Sequence, residues 1–311
     1  MTFPIAGLHI NPLYLMGVGF VVGVLGGFFG VGGSFLAGPA LFAAGVPMNF
    51  VIGTDLTHIV GKSIVAARKH RTLGNIDFKL GVLMVVGTIA GVEAGAQFVQ
   101  ALKKTARIDW VVGPAFIVIL FTISGFMAWE SWSTLRAQRR SGGAPPPKPG
   151  EHPSKRDHSA VAHIARAVHR ISIGPHVSLP VSGIASVSIW AILLVAFVGG
   201  FFSGFLGGGA GYIRLPCLIY LLGIPTHIAV GTDLFEIIIS ASYGTVSHAL
   251  KGNVDILIAL VMHTGAAVGA QIGATLTQYF IGPRIRMAFI PLPLIGAGIM
   301  LYSLFTGHPA K

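Results

Sequence analysis

Long apolar runs separated by short polar turns dominate the chain. A helix needs about 20 apolar residues to cross a bilayer core roughly 30 Å thick. The longest runs cover residues 13–29, 80–102, 110–129 and 187–206. Because a chain in lipid must satisfy its backbone hydrogen bonds internally, such runs indicate membrane-spanning helices. The pattern predicts an all-α polytopic membrane protein.

Small and polar residues between the apolar runs occur twice in the same order. Gly53-Thr54-Asp55-Leu56 recurs at 231–234, 178 residues later. The same offset relates Pro47/Pro225, His70/His248, Asn75/Asn253 and Asp77/Asp255, and an offset of 177 relates Gly30/Gly207, Gly32/Gly209 and Pro39/Pro216. Self-similarity of this kind indicates a duplicated unit. We predict a first membrane repeat over 1–132, a basic cytoplasmic linker over 133–185 and a second membrane repeat over 186–311.

Each repeat contains five apolar segments, and the second of them is short. These segments, at 34–45 and 211–222, are about a dozen residues long and carry a proline, so they are too short to span. We predict about eight full transmembrane helices plus two short re-entrant or broken helices, with two halves that superpose. If the short segments cross instead, each half has five spans and the repeats are inverted, and this alternative stays open.

Glycine recurs at every fourth position in the fourth apolar segment of each repeat. The two series are Gly87, Gly91 and Gly95, and Gly265, Gly269 and Gly273. Small residues at this spacing let helix backbones approach closely in lipid, so we expect tight helix packing here. A hinge or gate is the alternative function of these glycines.

The charges are few and unevenly placed. Only 10% of residues are charged, against about 25% in a soluble domain. Eight basic and two acidic residues lie between 133 and 185, which by the positive-inside bias predicts a cytoplasmic linker rather than a nucleic-acid site. Within it, 158–171 is expected to form a basic amphipathic helix on the membrane surface. No basic residue precedes Lys62, so the first apolar run is expected to be a span and not a secretory signal.

A glycine-rich break precedes each short segment. The sequence is Gly-Val-Gly-Gly-Ser at 30–34 and Gly-Gly-Gly-Ala-Gly at 207–211. Glycine allows close backbone approach, and the free N–H groups at the start of the following half-helix favour an anion. We therefore predict substrate ligands at Gly32, Gly33, Ser34, Gly208 and Gly209. The alternative is a tight turn between packed segments.

Ionisable residues lie inside the third apolar segment of each repeat, where a buried charge is a functional hypothesis by default. In the first repeat Asp55, His58 and Lys62 share one helix face, and the 178-residue offset places Asp233, Glu236 and Ser240 at the matching positions. We predict proton coupling by Asp55, His58, Asp233 and Glu236. Further substrate ligands are predicted at Lys62, at Arg214 with its planar fork, and at Thr54 and Thr232.

Structural alternatives exist for each of these residues. Asp55 and Asp233 follow Gly-Thr and would serve as helix caps. Lys62 and Glu236 would form neutralising ion pairs in the core, and Arg214 would extend to the membrane surface.

Signatures of other protein classes are missing from the sequence. The single cysteine, Cys217, forms no metal cluster, and no nucleophile–base pattern, cofactor fingerprint or phosphate-binding Gly-x4-Gly-Lys loop occurs. We therefore expect no enzyme, no cofactor and no bound metal. The expected partners are a small anionic substrate and the lipid bilayer, without nucleic acid, and a homo-oligomer is left open.

The glycine-rich breaks, the proline in each short segment, Gly-Thr-x-Leu, the His-x3-Gly-Asn-x-Asp turn and the duplication together resemble the TauE/SafE family of sulfite and organosulfonate exporters. The resemblance covers roughly 13–132 and 186–306. It implies a secondary transporter in the cell inner membrane that exports a sulfur oxyanion, and the buried acids predict coupling of this export to the proton gradient. A cation- or proton-linked permease using Asp55 and Asp233 is the alternative, and a membrane-embedded enzyme ranks third.

Overall fold

The computed structural model describes residues 1–105, 107–140, 174–280 and 282–306. Within these residues the chain is almost entirely helical, and seven helices are long and apolar enough to cross a membrane. This confirms the predicted membrane class. The amphipathic helix expected at 158–171 lies outside the described residues.

Two helices of ten residues occupy equivalent places in two similar successions of helices. The first half contains α1 (Pro12–Phe29), α2 (Ser34–Ala43), α3 (Met48–Thr72), α4 (Phe78–Lys104) and α5 (Ile108–Arg140). The second contains α6 (Ile189–Leu206), α7 (Gly211–Tyr220), α8 (Thr226–Leu250), α9 (Ile256–Leu276), α10 (Gly282–Phe289) and α11 (Pro291–Phe305). At about 1.5 Å per residue, α2 and α7 are roughly half as long as a bilayer core is thick.

A small antiparallel hairpin precedes each half, which the sequence patterns did not predict. Strand β1 (Thr2–Phe3) pairs with β2 (Leu8–His9), and β3 (His176–Leu179) pairs with β4 (Ile184–Ser188). Each hairpin bonds to the aspartate that begins a helix of the other half. The amide of Ala6 donates to Asp255, and the hydroxyl of Ser182 donates to Asp77 at 2.7 Å.

The number of spans stays a prediction. Helix α8 is 25 residues long, like α3, but it is not among the seven apolar candidates. It carries two fully buried acidic side chains, Asp233 and Glu236, which lower its apolar character.

The two glycine series hold two pairs of helices together. The backbones of Met16, Phe20 and Val24 in α1 lie against Gly265, Gly269 and Gly273 of α9, and those of Leu193, Phe197 and Phe201 in α6 lie against Gly87, Gly91 and Gly95 of α4. Residue numbers rise together in both pairs, so α1 runs parallel to α9, and α4 runs parallel to α6. A β-carbon at any of these glycines would overlap backbone atoms of the partner helix.

Contacts between helix ends fix how the halves meet. Helix α3 starts near the beginning of α9, where the side chain of Asn49 donates to that of Asn253 at 3.3 Å. Helix α4 ends at the same place, because the ammonium of Lys103 bonds to Asn253 at 2.8 Å and to the carbonyl of Lys251. Helix α2 returns toward the start of α1, since the hydroxyl of Tyr14 donates to the carbonyl of Ala40 at 2.9 Å.

Gly269→Ala should destabilise the protein, because the added methyl group meets the backbone of Phe20 and cannot be accommodated without separating α1 from α9. Overpacking of this kind typically costs about 1–3 kcal/mol. The matched control is Gly17→Ala in α1, where a β-carbon meets nothing within 4 Å. Thermal unfolding of the detergent-purified variants measures the difference, and equal unfolding temperatures would contradict the packing.

Candidate functional site

The two glycine-rich breaks contact each other in the middle of the protein. The hydroxyl of Ser34 donates to the carbonyl of Gly208 at 2.5 Å, and the backbone of Val31 lies against Gly211. A β-carbon on Gly208 would overlap Ser34 and approach the carboxylate of Asp55. The first repeat therefore closes directly onto the second, at the residues predicted to bind substrate.

Both short helices begin without a side-chain cap. Gly33 precedes α2 with a φ of 75°, and Ala210 precedes α7 with a φ of 46°; neither forms a capping bond. A left-handed alanine is strained, and such strain is concentrated at functional sites. Helix starts of this kind present backbone N–H groups and the positive end of a helix dipole, which suits an anion.

The ionisable residues of the first repeat form a chain along one face of α3. The Nζ atom of Lys62 lies 2.9 Å from Nε2 of His58, and Nδ1 of His58 lies 3.0 Å from both the carbonyl and the carboxylate Oδ1 of Asp55. All three side chains are at most 2% exposed. Nδ1 of His58 has hydrogen-bond geometry toward the carbonyl of Asp55 and lies at ion-pair distance from the carboxylate, whose oxygens accept no other hydrogen bond from a described residue.

A buried ionic triad occupies the second repeat. The Nε atom of Arg214 in α7 pairs with Asp233 of α8, and its Nη1 atom pairs with Glu236 one turn further along α8. All three side chains are fully buried. One oxygen of each carboxylate and the Nη2 atom of the guanidinium have no hydrogen-bond partner among the described residues.

The two charged groups flank the second glycine break and are separated by apolar side chains. A β-carbon at Gly211 would approach the carboxylate of Asp233, as one at Gly208 would approach Asp55. Between the charged faces of α3 and α8, a small buried cluster packs together: Leu56, Ile59, Ile237 and Ala241. Ile59 and Ile237 are equivalent at the 178-residue offset.

Thr54 and Thr232 form matching bonds between the halves. The hydroxyl oxygen of Thr54 accepts the amide of Asp255, that of Thr232 accepts the amide of Asp77, and both distances are 2.9 Å. Each of these aspartates also caps its own helix, α9 or α4. The structure thus brings both threonines to the turns of the opposite repeat.

Buried Tyr212 in α7 was missed by the sequence reasoning. Its side chain is fully buried, and its hydroxyl has no partner among the described residues. A lone tyrosine in an apolar segment gives no signal, because its counterpart in the first repeat is the apolar Phe35 at the 177-residue offset. No group of three metal-ligating residues occurs in the described ranges.

Comparison with known proteins places this site in a family of transporters. The family described as "Sulfite exporter TauE/SafE" matches residues 15–300. The probable membrane transporter protein YunE of Bacillus subtilis is 27% identical over 301 residues, covering 94% of this chain and 98% of YunE. YjnA, a probable membrane transporter protein of the same organism, is 23% identical and covers 92% of this chain and 95% of its own length. No solved structure matches the chain.

Arg214→Met should strongly destabilise the protein, because it leaves the carboxylates of Asp233 and Glu236 buried without a counter-charge. Removing one partner of a buried ion pair costs about 3–5 kcal/mol. The triple variant Arg214→Met/Asp233→Asn/Glu236→Gln removes every charge of the triad and should recover most of that loss. Thermal unfolding at neutral pH measures the order of the three proteins. Arg214→Met unfolding at the wild-type temperature would contradict the ionic triad.

Proposed function

The chain belongs to the TauE/SafE family, and from this premise we propose that it is a secondary transporter for a small sulfur oxyanion, such as sulfite or an organosulfonate. The proposed location is the cell inner membrane, and the proposed direction is the export that the family description names. The relatives carry the names of membrane transporters, which supports a transporter rather than an enzyme.

The observation that carries the proposal is a fully buried arginine beside a glycine break. Arg214 lies three residues into α7, and a guanidinium presents a planar fork that matches an oxyanion. The starts of α2 and α7 lie close together, because Ser34 bonds to Gly208 and the backbone of Val31 lies against Gly211. We propose that Gly32, Gly33, Ser34, Gly208 and Gly209 complete this anion site, with Thr54 and Thr232 at its margin.

In this structure two carboxylates are paired with the arginine that we propose as the anion ligand. Asp233 and Glu236 place their oxygens where the oxygens of a sulfonate or sulfite would bind. Bringing an anion into this dry site beside two ionised carboxylates would be costly unless they are protonated. We therefore propose that Asp233 and Glu236, with Asp55 and His58, couple anion binding to protonation.

Inverted repeats would let this site face each side of the membrane in turn. Helix α3 starts at the beginning of α9 and ends at the beginning of α4, so those two places lie on opposite membrane faces. The first hairpin and α1 start beside Asp255, whereas the second hairpin and α6 start beside Asp77. These contacts support an inverted relation between the halves, with Asp55 and Asp233 related by a two-fold axis.

A cation-linked permease is the second candidate. Apart from the approach of His58, neither carboxylate oxygen of Asp55 has a hydrogen-bond partner among the described residues, and the hydroxyl of Ser34 and the carbonyl of Gly208 lie beside them. Oxygen ligands of this kind suit a hard cation such as Na⁺. Sodium-dependent uptake that persists without any anionic substrate would favour this function.

Purified protein in vesicles should carry radiolabelled sulfite or a small organosulfonate, and unlabelled sulfur oxyanions should compete. Arg214→Lys should raise the half-saturating anion concentration by about tenfold, equivalent to about 1.4 kcal/mol, because an ammonium keeps the charge but loses the fork. Vesicles in which the wild type moves none of these anions would overturn the proposal.

Gly209→Val should abolish transport while membrane expression is retained. Gly209 has a φ of 77°, and an added β-carbon would lie 3.1–3.3 Å from the side chain of Ile237. Ala210→Gly is the matched control in the same break; it relieves a left-handed alanine and should keep transport. Undiminished flux through Gly209→Val would show that this glycine serves packing alone.

A further inference from the structure

The two repeats differ in which charge each contributes. Arg214 has Ala37 as its counterpart in the first repeat, at the 177-residue offset, whereas Lys62 has Ser240 in the second. His58 corresponds to Glu236. In the first half, Lys62 follows Asp55 along α3. In the second half, Arg214 of the short helix α7 pairs with the two acids of α8. This difference suggests that the halves perform separate tasks.

We propose that Asp55, His58 and Lys62 form a proton relay through the first repeat, while Arg214 in the second repeat holds the anion. The relay rests on the proposed function, because the proton it carries is the one coupled to anion transport. It changes the role of Lys62 from a substrate ligand to one end of a proton path. The first repeat would then carry the proton, and the second repeat would bind the anion.

The geometry of the chain is that of a relay. An ammonium on Lys62 donates to Nε2 of His58 at 2.9 Å, which leaves Nδ1 as the protonated ring nitrogen, 3.0 Å from both the carbonyl and the carboxylate of Asp55. In the transfer, Lys62 passes a proton to Nε2 and becomes an amine, while Nδ1 releases its proton to the carboxylate and Asp55 becomes a carboxylic acid. The imidazole stays neutral and changes tautomer, and it regains the first tautomer when the proton on Nε2 leaves and another is taken up at Nδ1.

The relay passes the apolar centre of the protein. With α3 starting at Met48 and rising about 1.5 Å per residue, Asp55 lies about 10 Å from the start of the helix and Lys62 about 21 Å. Ile59 lies between these two depths, packed in the apolar cluster with Ile237. A proton moving along α3 from one of these depths to the other therefore needs side chains such as these, because the cluster offers no polar group.

Other elements contribute titratable groups around the relay. Tyr212 of α7 lies close enough to Asp55 to interact with it electrostatically, and the ring of His263 in α9 packs on Gly61 beside Lys62. Arg214, Asp233 and Glu236 are paired with one another across the glycine break. The relay thus ends at Asp55, next to the proposed anion site.

The position of Asp55 sets the sign of the coupling. Protonation of Asp55 removes a negative charge next to Gly208, in the glycine break that would hold the anion. Because like charges close together disfavour binding in a dry site, the protonated acid and the anion are bound together. Proton and anion therefore move in the same direction, so export runs down the outward gradient of the anion itself and carries protons out with it.

The test uses the full chain in vesicles loaded with a pH-sensitive dye, with methanesulfonate as the transported anion. Methanesulfonate stays ionised, so any proton that accompanies it must be carried by the protein. Wild type should acidify the compartment that receives the anion. His58→Gln keeps hydrogen-bonding groups at the imidazole position but cannot relay a proton, so it should retain anion exchange at equal pH and lose the proton signal. His227→Gln in the first turn of α8 is the control and should retain both.

A second variant guards against a folding defect. Asp55→Asn/Lys62→Met removes both charged ends of the relay without changing its net charge, and it should behave like His58→Gln. Wild-type proton flux through both variants, or proton movement opposite to the anion, would overturn the relay and leave anion transport standing. A wild type that exchanges neither methanesulfonate nor sulfite would overturn the proposed function and the relay with it.

Discussion

Neutralising charge in a dry interior is the constraint on which the rest of this structure depends. Six of the described ionisable side chains are buried on α3, α7 and α8: Asp55, His58, Lys62, Arg214, Asp233 and Glu236. An unpaired charge there would cost several kcal/mol, so each basic group lies against a carboxylate or an imidazole. Bringing these groups together requires helices that stop halfway, and the glycine breaks provide them.

The glycine series explain how such a centre is held in place. Helices α1 and α9, and α4 and α6, approach until backbone meets backbone, and this close fit makes each pair a stiff unit. The short helices and the charged faces of α3 and α8 lie inward of these pairs. Tight outer packing and a polar, incompletely satisfied centre fit a protein whose outer helices stay fixed while the inner groups exchange partners.

The sequence revealed the membrane class, the family and the positions of the interruptions, because hydrophobicity, glycine and proline act locally. Spacing also placed His58 one turn from Lys62, although it did not show that they bond to each other. The partners of Arg214 could not be predicted, since an ion pair between two helices depends on packing. The bond from Asp255 to Thr54 joins residues 201 apart, and no local pattern in either segment predicts it.

The reciprocal bonds between the halves have a consequence for the synthesis of the protein. The amide of Asp255 donates to Thr54, and the amide of Asp77 donates to Thr232. Neither half can therefore satisfy the buried backbone amide of its own turn without the other half. The first half must therefore remain incomplete in the lipid until the ribosome has finished the second. With the halves inverted, as we propose, an ancestral single-repeat chain would have met the same need only by inserting in both orientations and pairing with an oppositely oriented copy. Fusion of two such genes would have placed both copies in one chain, so that pairing no longer depended on two separate chains meeting.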